Sequence, residues 1–263
     1  MAGGDPPQAE NRQTLQVRLA IRQYISVIHL WNERHMAWRC RQRRNALVSA
    51  GVPGVDIQHS SFALSSIVAS TSFLEALINE VWVDAFQGEI VLDRLQGLDS
   101  TVVLKLRELW TIDRVEQLSI LEKYRVALLF AGKPTMRATL RYGSWSISSF
   151  LETRNALVHP KPENQFIDET HKLENKLAGK FEANPLASLP WYPHQVLAAG
   201  CADWVWATCL ESAQLWWERM GLQRDLLSEF SPWPDPMSEP PLGRSASGWS
   251  VRMQTPGAHS TKD

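Results

Sequence analysis

Six consecutive residues hold a set of side chains suited to handling a phosphodiester: Arg154-Asn155-Ala156-Leu157-Val158-His159, followed by Pro160. Arginine offers a fixed fork of N–H donors to phosphate oxygens, and an imidazole exchanges protons near neutral pH. On an ideal helix, positions 154 and 159 lie about 7.5 Å apart along the axis and about 140° apart around it. They are not on one stripe, so they converge only through the length of the arginine or a bent helix end. Asn155 and His159, four apart, do share a face. Pro160 disfavours α geometry at the residue before it, which puts His159 at the last turn or cap, within reach of solvent or substrate. A helix C-terminus favours the imidazolium there and a nearby guanidinium opposes it; the sequence leaves that balance open.

The elements around this segment read as helices. Residues 1–11 form a flexible leader, and apolar positions at helical intervals then run over about 11–49. Gly51, Pro53 and Gly54 make a turn before a second long helix over 57–86. In that helix Ala63, Ser65, Ser66, Ala69, Ser70 and Ser72 allow close approach of a neighbour, while Phe73, Leu77, Ile78 and Val81 supply a buried face. Shorter helices are expected over 101–110 and 114–131, the latter with Asp113 as N-cap and Glu116 completing a capping box. Further helices are read over 148–158, around 168–177, and over 194–220, ending at Gly221. The Pro-, Ser- and Gly-rich residues 231–263 read as a disordered tail. Alternating β-patterns are lacking, so residues 12–230 are expected to form an all-α bundle of long antiparallel helices with an extra N-terminal helix.

Composition narrows the function classes. The 263 residues are 44% hydrophobic and 21% charged, in the globular range, with a net charge of −1 that gives no global field for nucleic acid. Three cysteines (Cys40, Cys201, Cys209) form no CxxC pair and fit a reducing, cytoplasmic setting. The apolar stretch 62–86 is interrupted by Ser65, Ser66, Glu75, Asn79, Glu80 and Asp84, which argues against a membrane helix. His171 and His194 lack ligand spacing, and no HExxH, Walker or GxGxxG pattern occurs, so neither metal nor cofactor is expected.

The segment 154–159, with its Asn after the Arg, resembles the RX4-6H motif of the HEPN superfamily. The helix bearing Ser72-Phe73-Leu74-Glu75-Ala76-Leu77-Ile78-Asn79-Glu80 is similar to an early helix of the HEPN bundle, and the helix from Cys201 is similar to its closing helix. The bare pattern also fits Arg22 to His29 and Arg252 to His259, but only the 154–159 match joins an adjacent Asn, a helix end and a partner helix. The resemblance implies a metal-independent endoribonuclease leaving 2′,3′-cyclic phosphate ends, in a toxin–antitoxin, phage-defence or stress setting. In that reading His159 is the acid or base, Arg154 holds the scissile phosphate and Asn155 orients either. It also implies RNA as substrate, a homodimer with two motifs in one cleft, and an antitoxin or regulatory protein as a further partner. One departure is Lys161, where some HEPN toxins carry a tyrosine. The competing reading is a catalytically silent HEPN-like module binding a protein or nucleotide, and an Arg and His at a helix end also simply solvate that end.

Other residues have paired readings. Glu75 and Asn79, one turn apart, either position Arg154 or Asn155 from behind or form a polar face with Asn79 bonded inside the bundle. Arg39, Arg41, Arg43 and Arg44 either guide phosphates or solvate a helix end, the latter favoured. Of the twelve tryptophans, Trp204 lies off the main apolar seam and is nominated for a dimer contact.

Overall fold

In the computed structural model, residues 23–88, 93–112, 115–134, 144–160, 169–187 and 190–229 are described. The leader 1–11, Asp113 and the tail 231–263 lie outside them. Eight α-helices and no strand occur among the described residues: α1 (Ile25–Ser49), α2 (Ile57–Phe86), α3 (Ser100–Ile112), α4 (Ile120–Phe130), α5 (Ser144–Val158), α6 (Lys172–Leu177), α7 (Trp191–His194) and α8 (Ala199–Met220). The protein is all-α.

Helix α2 is the axis of the bundle. The short connection 50–56 folds it back along α1, and it also touches α3, α4, α5 and α8. By length and hydropathy it is the one described helix apolar enough to cross a membrane, with a mean of 1.5 over its most apolar window. That apolarity is used inside the bundle: Phe73, Leu77, Ile78, Val81 and Trp82 are fully buried. Its start is set by Asp56, whose Oδ1 accepts the His59 N–H at 2.7 Å. The Arg43 guanidinium grips the same carboxylate at 3.1 and 2.7 Å and, with the His59 N–H, holds its pKa down at about 2.

The arginine-rich end of α1 is therefore a staple. Arg43 pairs with Asp56, Arg41 with Asp203 and Glu182, and Arg44 with Glu182 at 2.7 Å. Arg39 lies over the Trp38 and Phe62 rings. Carboxylates on three other segments thus neutralise most of this cluster, a tethering role that neither sequence reading gave it. Gly200 makes the Glu182 contact feasible, because a Cβ there would collide with the Glu182 carbonyl. Gly200→Ala is expected to cost about 1–3 kcal/mol by forcing α8 off that strand of backbone, read as a lowered urea midpoint with unchanged slope. An unchanged midpoint would mean the contact is loose.

Trp204 is 6% exposed and packs beside Phe181, with centroids 5.8 Å apart. It is not on a free surface, which overturns its nomination as a dimer contact. The face of α8 away from the seam is covered by the chain after α6, which helical periodicity alone did not reveal. Several boundaries also moved: α1 begins at Ile25, behind the extended Tyr24, where a helix running on from about residue 11 was expected, the part before residue 23 lying outside the described residues. The capping box sits at Ser119 and Glu122, after a 3-10 turn at Val115–Gln117, and α8 begins at Ala199, behind the separate turn of α7. Gly221 ends α8 in the left-handed conformation at φ 82°, a C-terminal position that suits glycine.

The three cysteines are buried and unpaired by disulfides. Burial pushes the Cys40 thiol up to about 12 and raises the other two, so none is a ready nucleophile. Glu33 is more unusual. It is fully buried on α1, and neither carboxyl oxygen has a hydrogen-bond partner. Ser70 stands beside it, but the Ser70 hydroxyl donates to the Ser66 carbonyl at 2.9 Å. Burial raises the Glu33 pKa well above the carboxylate range, only partly offset by Ser70.

A raised folded-state pKa means the folded chain keeps a proton that the unfolded chain releases above the ordinary glutamate value. Stability should then fall as pH rises from that value towards the folded pKa, by up to about 1.4 kcal/mol per pH unit. Glu33→Gln is expected to remove this decline and to gain on the wild type as pH rises, measured by urea unfolding at pH 5 to 8. Parallel curves for the two proteins would mean that Glu33 is ionised inside the fold.

Candidate active site on α2, α4 and α5

Helix α5 buries Ile147, Phe150 and Thr153 against the bundle. Arg154 follows at the edge of that stripe and is half-buried, while Asn155 is exposed. The end of α5 is tied down from outside: Tyr192 donates its hydroxyl to the Ala156 carbonyl at 3.1 Å and stacks on His171 at 4.3 Å. Val158 is the last helical residue, and the His159 N–H still bonds the Asn155 carbonyl at 2.9 Å. The i to i−4 geometry thus persists to His159, which is exposed.

An open hollow of about 280 Å³ lies between α2, α4 and α5. Its walls are Thr71 and Glu75 from α2, Leu118 to Leu121 at the start of α4, and Leu151, Arg154 and Asn155 from α5. Arg154 Nη1 donates to Asn155 Oδ1 at 3.0 Å, and its Nε is buried without a hydrogen-bond partner. That N–H is a donor already removed from water, and leaving it unmade is costly. The start of α4 adds the partial positive charge of a helix N-terminus, moderated by its Glu122 cap.

Of the residues singled out in the sequence, Arg154, Asn155 and Glu75 are brought to one hollow. His159 does not line it. It lies one turn beyond Asn155 on the same stripe of α5. Glu75 is exposed and, among the described residues, makes no hydrogen bond or ion pair with Arg154. Asn79 does not line the hollow: its Oδ1 accepts from Lys123 Nζ at 2.8 Å, the inside-the-bundle reading of that residue.

Lys123 was not foreseen. It is 1% exposed, and burial lowers its pKa, with Glu75 and Glu116 pulling the other way. Within an amphipathic helix its position reads as an ordinary charged face. Ser119 was missed as well, although Ser119-Ile120-Leu121-Glu122 spells a capping box that the sequence displays openly.

Fold and site together define a helical bundle with an arginine-, asparagine- and carboxylate-lined hollow at the end of one helix. Comparison with family models, with characterised proteins and with solved structures gives no match.

Proposed function

We propose that this chain is a metal-independent endoribonuclease of the HEPN type, cytoplasmic and acting as a homodimer. The observation that supports this reading is the hollow beside the motif: Arg154 and Asn155 line it, Arg154 brings a desolvated unpaired N–H, and His159 stands exposed one helical turn beyond Asn155. A phosphodiester seated against Arg154 would have its developing charge offset by the guanidinium. The 2′-oxygen then bonds to phosphorus, the bond to the 5′-oxygen breaks, and a 2′,3′-cyclic phosphate remains. His159 would take the 2′-hydroxyl proton or give one to the departing oxygen. A homodimer with the two hollows joined would supply a second imidazole, so that one acts as base and the other as acid. A toxin, phage-defence or stress role, with an antitoxin or regulatory protein as partner, follows from the motif resemblance.

The placement of His159 outside the hollow favours one alternative, a catalytically silent module that holds a nucleotide or protein partner through Arg154 and Asn155. Purified protein with mixed RNA and excess chelator separates the two. Cyclic phosphate ends formed under chelator support the ribonuclease. Intact RNA with retained nucleotide binding supports the silent module.

A further inference from the structure

We infer that the hollow takes a guanine base and that Glu75 is the residue that reads it. The inference rests on the ribonuclease reading for the source of that base, an RNA substrate. Glu75 lines the hollow as an exposed carboxylate with no hydrogen bond or ion pair among the described residues. The cation that would have been its natural partner, Arg154, is turned to Asn155 instead. A carboxylate only accepts and a guanidinium only donates. A ligand filling both must therefore present N–H donors at one end and anionic oxygens at the other.

A nucleotide meets that demand, and only one RNA base does so well. Guanine places N1–H and the N2 amino group side by side on its pairing edge, matching the two carboxylate oxygens. Adenine, cytosine and uracil each set an acceptor beside their donor on that edge, and the acceptor would face the carboxylate in repulsion. Beside Thr71 and Ser119, the remaining wall residues Leu118, Ile120, Leu121 and Leu151 are apolar and suit a planar ring. At about 280 Å³ the hollow is near the small end of ligand sites, with room for one nucleotide and not for an oligomer. Behind the Glu75 wall, the buried Lys123 ammonium, fixed by Asn79, sets a positive charge close to the carboxylate.

The test is equilibrium binding of guanosine 3′-monophosphate and adenosine 3′-monophosphate to wild type and to Glu75→Gln. Glu75 is exposed, so the isosteric change leaves the bundle intact. Wild type is expected to prefer the guanine nucleotide by roughly tenfold, as one bidentate base contact gives. Glu75→Gln should bring the two nucleotides within about twofold of each other. Equal binding of both by wild type, binding of neither, or a preference that survives Glu75→Gln overturns the assignment. The ribonuclease reading fails separately: guanine-selective binding without RNA cleavage sinks that reading alone. Cleavage with equal binding of the two nucleotides sinks this one alone.

Discussion

His159→Ala is expected to slow RNA cleavage by about 10²- to 10⁴-fold, the usual share of a general acid or base. The fold should not change, because His159 is exposed beyond the last residue of α5 and its contact within the fold is a backbone N–H bond to Asn155. Arg154→Ala should cost about 10²- to 10³-fold by removing the donor aimed at the phosphate. Arg154→Lys should rescue poorly, since a single ammonium cannot reproduce the guanidinium fork. Single-turnover cleavage of a labelled oligonucleotide under chelator, with circular dichroism on each variant, measures all three. Unchanged rates for His159→Ala in folded protein would reduce the motif to a solvated helix end.

The second large effect concerns stability. Arg94 is wholly buried, ion-paired to Glu80 at 2.6 Å, and lies 3.9 Å from the centre of the Tyr24 ring. Glu80 in turn accepts both the Ser26 backbone N–H at 2.8 Å and the Ser26 hydroxyl at 2.6 Å, so it holds the first turn of α1 against α2. Removing the guanidinium leaves that carboxylate with its charge uncompensated. Arg94→Met is expected to destabilise by about 3–5 kcal/mol, as breaking a buried pair does. Adding Glu80→Met should recover only part of the loss: it removes the uncompensated carboxylate but leaves the buried Ser26 N–H and hydroxyl without their acceptor. Urea unfolding of the two single variants and the double variant closes the cycle. A loss below about 1 kcal/mol for Arg94→Met would mean that the pair behaves as a surface ion pair does.

These two predictions differ in how far the sequence announced them. The 154–159 segment is local, and its helix, its ending before Pro160 and the shared stripe of Asn155 and His159 were all legible from spacing. The Arg94 network was not: its members lie at positions 24, 26, 80, 94 and 217. The same contrast runs through the helices. The bounds of α2 match the expected 57–86, because Asp56 caps it and a long apolar pattern sustains it. By contrast α5 begins at Ser144, four residues earlier than expected, and the cap of α4 falls at Ser119 beyond a 3-10 turn. Short segments with weak periodicity take their ends from what they pack against.

Sequence by itself determined that this protein is all-α, that Phe73, Leu77, Ile78 and Val81 form the buried face of α2, and that a guanidinium and an imidazole share one helix terminus. Tertiary packing decided that Glu75 and Arg154 line one open hollow, that Asn79 serves Lys123, that carboxylates claim Arg41, Arg43 and Arg44 of α1, and that Trp204 is covered. The reason is physical. Periodicity along a chain tells which residues leave water, but partners for buried or half-buried charges come from segments tens of residues away. Their identity exists only once the helices are stacked.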